Sequence, residues 1–211
     1  MTSLRTTPNH ISQNNQLFNY ITWFIFLNNM TSVLITGAGG FIGANLANKL
    51  SQSKNDVTLL VRKKTDLWRV NHKISKSKIK YVDILNKKDL FNKIKEIKPD
   101  VVYHSATYGI HPSQKDYENV IRTNLIGTNN LLESLSRYND LQKFVNIGTS
   151  FEYGSKKEPM KETDMPNPRT FYGITKMLRQ IFLNILQVKK IYQQLTLEFF
   201  LHMVDMTNQD D

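Results

Sequence analysis

A tyrosine and a lysine four residues apart, Tyr172 and Lys176 in the stretch RTFYGITK, are the side chains with the clearest chemical potential in this 211-residue sequence. If the stretch is helical, both lie on one face, one turn apart. The ammonium would then stabilise a phenolate and make the tyrosine a general acid or base. An aromatic and a cation that merely share a helix face have the same spacing. The pair alone therefore leaves both readings open.

A glycine-rich segment, TGAGGFIG at 36–43, is the second candidate site. The pattern G-x-G-x-x-G fails because Ile42 stands where its last glycine belongs, but G-x-x-G-x-x-G fits. Glycine torsions allow a tight strand-to-helix turn, and backbone N–H groups at a helix start can bind a pyrophosphate. The segment follows an apolar run and precedes a helical pattern, which favours nucleotide binding through Gly37, Gly39, Gly40, Phe41, Ile42 and Gly43.

The elements that must position these residues alternate along the chain. Apolar runs predict strands at 32–36, 56–62, 78–83, 100–106, 143–148 and 195–200. Residues with helical spacing predict helices at 41–52, 87–97, 117–138 and 171–189. Unalternated apolar strands separated by helices indicate a parallel sheet covered on both faces. We therefore predict an α/β doubly wound parallel sheet, the Rossmann fold, over residues 31–200.

Composition narrows the classes of function. The sequence contains no cysteine, which excludes disulfides, thiolate metal sites and cysteine nucleophiles, and we expect no metal site and a cytoplasmic location. A net charge of +10 would suit an anionic partner such as a nucleic acid. The excess of positive charge comes mostly from dispersed lysines, without an arginine stripe or a nucleic-acid motif. Codon bias in an AT-rich genome produces the same excess of lysine. We therefore rank nucleic-acid binding last.

Residues 1–30 differ from the rest. The run LFNYITWFIFL at 17–27 is shorter than the ~20 residues of a transmembrane helix, and no signal-peptide cleavage site follows it. Met30 would make a natural start immediately before the first strand. We expect an N-terminal extension that is disordered or precedes the natural start, with a membrane-surface anchor as the alternative.

Several separately placed motifs together resemble the extended short-chain dehydrogenase/reductase family, the nucleotide-sugar epimerases and dehydratases. They are TGAGGFIG, YVDI, YHSAT, NLIGTNNLLES, FVNIGTSFEYG and FYGITK, and the resemblance covers about Thr31 to Tyr192. It favours catalysis for the Tyr172–Lys176 pair. It implies an NAD(P) cofactor, a nucleotide-sugar substrate, and neither nucleic-acid nor membrane partners, and it allows a homodimer.

By this resemblance the catalytic residues are Thr149, Tyr172 and Lys176. Tyr172 exchanges a proton with a sugar hydroxyl, and Thr149 binds the reacting oxygen. Lys176 stabilises the phenolate and also donates to the nicotinamide ribose, so that Tyr172 and Lys176 belong to the cofactor site too. The remaining cofactor residues implied are Asp83, Ile84, His104, Ser105, Ala106 and Asn124, with Asn124 supporting the lysine. For Asn124, an amide on the helix surface remains the alternative.

The end of the second strand bears on the choice of cofactor. In the family an acid there accepts from the ribose 2′-hydroxyl and marks NAD, whereas a cation accommodates the 2′-phosphate of NADP. Here Arg62, Lys63 and Lys64 stand in that place. The arginine fork suits a phosphate, so we slightly favour NADP over NAD, with a solvated basic turn as the alternative.

The residues after Thr149 bear on the reaction. Dehydratases of the family follow this position with an Asp-Glu pair, but Ser150 and Phe151 stand here, and the nearest acid, Glu152, is one place late. Glu152 would either touch a sugar hydroxyl or lie at the rim of the site. Dehydration is therefore disfavoured, and a 4-epimerase or 4-ketoreductase remains.

The C-terminal part departs from the family pattern. Residues 201–211 read as an aberrant tail, and the family's smaller C-terminal substrate lobe would be largely missing. We therefore expect an enzyme that is an inactive fragment if the lobe is essential, and keep as the alternative a non-catalytic NAD(P)-binding module from a truncated member.

Overall fold

The computed structural model describes residues 30–70, 74–111, 113–137, 141–156, 159–161, 163–188 and 194–197. The predicted extension before Met30 and the predicted tail at 201–211 lie outside the described residues. So do residues 198–200 of the predicted sixth strand.

In the described part of the chain, six parallel strands form one sheet. They are β1 (Ser32–Thr36), β2 (Asp56–Val61), β3 (Ile79–Tyr81), β4 (Val101–His104), β5 (Lys143–Ile147) and β6 (Gln194–Leu197). The strand order is β3-β2-β1-β4-β5-β6, and all five pairings are parallel. This is the doubly wound arrangement, so the predicted fold class is confirmed.

The helices connect the strands. They are α1 (Phe41–Leu50), α2 (Lys87–Ile97), α3 (Tyr117–Ile121), α4 (Thr128–Ser136) and α5 (Phe171–Val188). A π-helical segment, Arg122–Gly127, joins α3 to α4. The single helix predicted for 117–138 is therefore interrupted by a wide turn, a feature frequently found at functional sites.

Apolar side chains cover both faces of the sheet. Val33 and Ile35 of β1 pack on one face with α1, whereas Leu34 packs on the other with residues of α2, α4 and α5. Burial on both faces explains why the strands read as continuous apolar runs and not as alternating ones.

The chain reverses its direction of winding at β1. From β1 it proceeds to β2 and β3 on one side, and to β4, β5 and β6 on the other. Ligands of open α/β sheets bind outside the carboxyl ends of the strands at such a switch point. The ends of β1 and β4 are in register there, with Thr36 opposite His104.

The outer face of α5 is apolar and exposed. Five of its residues recur at spacings of three and four: Phe171, Ile174, Leu178, Ile181 and Ile185. At the start of this stripe the ring of Phe171 stacks on Tyr117 of α3, with centroids 4.3 Å apart. Among the described residues, no helix combines the length and apolar character needed to cross a bilayer.

Candidate cofactor and catalytic site

A cavity of about 360 Å³ opens at the switch point. Its walls come from the glycine turn after β1, the ends of β2 and β3, and the segment after β4. They include Gly37, Gly39, Gly40, Arg62, Thr65, Asp83, Ile84, Ser105, Ala106, Thr107 and Tyr108. Most of the predicted cofactor residues therefore line one cavity.

The glycine turn leaves no room for side chains at its ends. Gly37 has φ +69, and a Cβ atom there would lie 2.5 Å from the backbone nitrogen of Ala106. A Cβ atom on Gly43 would lie 2.4 Å from the Gly37 carbonyl oxygen. Gly40 is the N-cap of α1 and no side chain caps this helix. The N–H groups of its first turn, which starts with Phe41 and Ile42, therefore keep their donors available to an anion.

Residues beside β2 and β3 close the other end of the cavity. The Arg62 backbone N–H donates to the Thr65 hydroxyl in a turn, and the Arg62 side chain is exposed. Asp83 is also exposed, and its carboxylate accepts from the Leu85 N–H at 2.9 Å. Ile84 is buried and packs against Gly127, where an added Cβ atom would come within 2.5 Å of it. Arg62 and Asp83 thus present opposite charges to the same cavity.

His104 is a buried, neutral link between strands and helix. Its Nε2 lies 2.8 Å from the Thr128 hydroxyl, which itself donates to the Asn124 carbonyl. The Thr128 oxygen must therefore accept from Nε2–H, which leaves Nδ1 as the acceptor for the Thr36 hydroxyl at 2.7 Å. Burial, followed by the charges of Arg179 and Lys176, holds the pKa of His104 well below its usual value. Both ring nitrogens of His104 are thus engaged by threonine hydroxyls.

Ser105 and Ala106 continue this contact beyond β4. The Ser105 hydroxyl donates to the Thr36 carbonyl at 2.7 Å, and the Ala106 N–H donates to the Thr36 hydroxyl at 3.3 Å. Both residues border the cavity, so the predicted segment lies beside the glycine turn.

Asn124 lies in the π-helical segment and is fully buried, which excludes the helix-surface alternative. Its Oδ1 accepts from the Tyr108 N–H and the Thr107 hydroxyl. Its Nδ2 donates to the Tyr108 carbonyl and to the Thr175 hydroxyl, each at 2.9 Å. Asn124 therefore connects the loop after β4 to the residue that precedes Lys176.

Thr149, Tyr172 and Lys176 are brought together and buried. The Tyr172 phenol lies close to the side chains of Thr149 and Thr107. Burial raises the pKa of Tyr172, while the charge of Arg179 and the neighbouring hydroxyls of Thr107 and Thr149 act to lower it. Since Thr107 also borders the cavity, the phenol lies next to it.

The ammonium of Lys176 lies 6.0 Å from the Tyr172 ring centroid and donates to the Ile147 carbonyl oxygen. Burial lowers the pKa of Lys176 well below its usual value, and the charge of Arg179 lowers it further, whereas Glu152 acts in the opposite direction. The i,i+4 geometry predicted from the spacing is therefore present.

Sequence reasoning missed two residues and misplaced a third. Thr107 and Arg179 were not singled out, although Arg179 follows Lys176 by three residues on the same helix, a spacing that indicates a shared face. Glu152 is 4% exposed, so the rim position considered for it is wrong. Its carboxylate accepts from the Thr149 N–H at 3.0 Å, and its position three residues after a threonine is the signature of a capping box.

Comparisons with known proteins agree with this architecture. A model of the NAD dependent epimerase/dehydratase family matches residues 33–189. The UDP-glucose 4-epimerase of Mycoplasma pneumoniae is 29% identical over 185 residues, or 81% of this chain and 52% of that protein. The dTDP-4-dehydrorhamnose reductase of Aggregatibacter actinomycetemcomitans is 29% identical over 163 residues, or 77% and 50%.

Solved structures show the same likeness. A UDP-glucuronic acid 4-epimerase from Bacillus cereus in complex with NAD has a TM-score of 0.68 and 28% identity, over 80% of this chain and 56% of that one. This chain spans about half the length of the two curated relatives named above.

Proposed function

Because this chain belongs to the NAD dependent epimerase/dehydratase family, we propose that it acts with NAD(P) on a nucleotide-linked sugar. The proposed reaction is hydride transfer at C4, as an epimerase or 4-ketoreductase. The observation that carries the proposal is the position of the buried Tyr172 phenol beside Thr149 and Thr107, since Thr107 also borders the cavity.

The residues of the cavity fit a nicotinamide dinucleotide. Its pyrophosphate would lie against the uncapped start of α1, where Gly37 and Gly43 keep the backbone free of side chains. Its adenosine would lie between Arg62 and Asp83. When bound, the cofactor supplies the hydride acceptor or donor.

The chain itself would handle the proton. Tyr172 removes it from, or returns it to, the sugar hydroxyl, and Thr149 orients the reacting oxygen. Lys176 supplies positive charge beside the phenol, and Asn124 fixes the helix that carries both residues through Thr175. Thr149, Tyr172 and Lys176 are all buried, which limits the contact of bulk water with these groups.

The acid needed for dehydration is engaged elsewhere. Glu152 accepts from the Thr149 N–H, and Phe151 packs edge-on against the Tyr172 ring, with centroids 5.7 Å apart. A carboxylate held in a backbone cap is poorly placed to eliminate water from a substrate. This arrangement supports epimerisation or reduction over dehydration.

The test is cofactor binding followed by turnover. Purified protein is titrated with NADPH and NADH by fluorescence, and then offered UDP-glucose, UDP-glucuronic acid and dTDP-linked 4-keto sugars. Product formation supports the enzyme. Binding without turnover supports the second candidate, a non-catalytic NAD(P)-binding module.

We also expect NADPH to bind more tightly than NADH, because Arg62 borders the cavity and a guanidinium can hydrogen-bond a 2′-phosphate. Arg62→Gln should weaken NADPH binding by roughly 10- to 100-fold, as expected for a hydrogen bond to a charged group, and leave NADH binding nearly unchanged. Fluorescence titration of both cofactors measures the ratio. Lys63→Gln is the control, since Lys63 does not border the cavity. Equal losses of NADPH affinity in the two variants would indicate that residues 62–64 form only a solvated basic turn.

For the homodimer we propose the exposed stripe of α5 as the contact. Helix α5 contains no acidic residue, and its two cations, Lys176 and Arg179, are buried. Its outer face is therefore uncharged and apolar, and a second copy related by two-fold symmetry would present the same stripe. The 3,4 spacing suits helix-on-helix packing.

Leu178→Lys should convert a dimer into a monomer, because it places one charge per subunit at the middle of the stripe. Sedimentation velocity at several concentrations measures the mass. Lys115→Glu, an exposed charge change outside the stripe, is the control. A wild-type chain that sediments as a monomer at all concentrations would contradict the proposal.

A further inference from the structure

Arg179 is the largest of the fully buried side chains in the described part of the chain. Its Nη2 donates to the Ile147 carbonyl at 2.7 Å, and its Nη1 lies 3.4 Å from the Ala106 carbonyl. Among the described residues, Nε–H finds no acceptor. The guanidinium thus bridges the end of β5 and the segment after β4, the two backbone segments that form the floor of the site.

Two cations share this floor. The Lys176 ammonium donates to the same Ile147 carbonyl that Arg179 Nη2 contacts. The groups that face them are Glu152 from the turn after β5, His104 from β4 and the Tyr172 phenol from α5. Of these described groups, His104 is neutral and Glu152 is the one carboxylate.

We propose that Arg179 is a positioning residue of the proposed Tyr172–Lys176 site. Its guanidinium fixes the Ile147 carbonyl, which also accepts from Lys176. It also places a positive charge near the phenol, where Glu152 places a negative one. The effect on turnover rests on the proposed function, whereas the effect on the Tyr172 phenol does not.

The electrostatic consequences have definite signs. Burial lowers the pKa of Arg179 to about 10, so its guanidinium stays charged at neutral pH. Burial raises the pKa of Tyr172, the charge of Arg179 acts to lower it, and the charge of Glu152 acts to raise it. Burial is the main cause that lowers the pKa of Lys176, and the charge of Arg179 lowers it further. Lys176 therefore loses its proton more easily than an exposed lysine. Arg179 therefore provides a positive charge near the phenol that persists at neutral pH.

The experiment is a direct titration of the phenol. Protein labelled with ¹³C at tyrosine Cζ is followed by NMR from pH 6 to 11, and Tyr172→Phe identifies the Tyr172 signal. Arg179→Met, which keeps an unbranched side chain of similar reach, should move the Tyr172 midpoint to higher pH. Glu152→Gln, which keeps an oxygen for the Thr149 N–H, should move it to lower pH. Arg179→Lys should stay nearer the wild type than Arg179→Met.

The two opposite shifts distinguish an electrostatic role from simple packing. A folded Arg179→Met whose Tyr172 midpoint equals that of the wild type would overturn the proposal, as would shifts of the same sign in the Met and Gln variants. Circular dichroism checks the fold. If Arg179→Met does not fold, Glu152→Gln and Arg179→Lys still test the proposal. A Tyr172 midpoint that does not move in Glu152→Gln would also overturn it.

A separate readout follows if the wild type turns over a sugar. In Arg179→Met the acidic limb of the pH profile of kcat should move to higher pH, because less phenolate is present at a given pH. If no sugar is turned over, the proposed function fails, but the NMR titration still tests the role of Arg179.

Discussion

Tyr172→Phe should lower nucleotide-sugar turnover by roughly 10²- to 10⁴-fold, the range expected on loss of a general acid–base group. The substitution removes one hydroxyl and keeps the buried ring, whose edge-on contact with Phe151 persists. Cofactor affinity should be nearly unchanged, because the glycine turn and the ends of β2 and β3 are untouched. Steady-state kinetics and NADPH fluorescence titration measure the two quantities on one preparation.

The matched control is Tyr117→Phe, which removes a hydroxyl from an exposed tyrosine on α3. Its turnover should equal that of the wild type. If Tyr172→Phe retained full turnover, the role assigned to the phenol would be wrong even though the family membership would stand. If it lost cofactor affinity and turnover in the same proportion, the hydroxyl would serve binding and not proton transfer.

The second large effect is expected at the start of the glycine turn. Gly37→Ala should abolish measurable NADPH binding and lower the free energy of unfolding. At φ +69 an alanine is strained, at a cost of about 1–2 kcal/mol, and its Cβ atom would also lie 2.5 Å from the Ala106 nitrogen. Because the contacted nitrogen belongs to the backbone, the turn and the segment after β4 would have to separate. Urea unfolding and fluorescence titration measure the outcome.

Gly40→Ala is the control, because Gly40 has an ordinary φ of −76 and its added Cβ would meet only the Gly37 carbonyl, at 3.3 Å. Its stability should remain close to that of the wild type. Equal stability of Gly37→Ala and the wild type would show that the turn relaxes without strain.

The fold could be predicted because four strands are buried on both faces and the helices carry apolar residues at helical spacing. Those two patterns distinguish β1, β2, β4 and β5 clearly. β3 is the exception: Ile79 and Lys80 are only partly buried and Tyr81 is exposed, so its signal is weak. The doubly wound order then follows from parallel strands joined by right-handed crossovers.

The interior of the site was less predictable. The proximity of Tyr172 to Lys176 depends on local helix geometry, which spacing reveals. The burial of Arg179 depends on a carbonyl at the end of β5 and another in the segment after β4, and a lone arginine on a helix is more often exposed. Glu152 was judged by its distance in sequence from Thr149, but its position is decided by a backbone cap. Contacts between segments far apart in sequence leave no periodic signal.

The wide turn at Arg122–Gly127 makes this region sensitive to the number of its residues. A π-helical turn holds about one residue more than an α-helical turn, so removing one residue would let an ordinary α-helix run through with little change in the orientation of the elements before and after it. The residues inside the turn would nevertheless take up new positions, and Asn124, which lies there, connects the loop after β4 to Thr175. A change of length in this segment would therefore disturb the contacts of the buried amide while leaving the packing of α3 and α4 largely as it is.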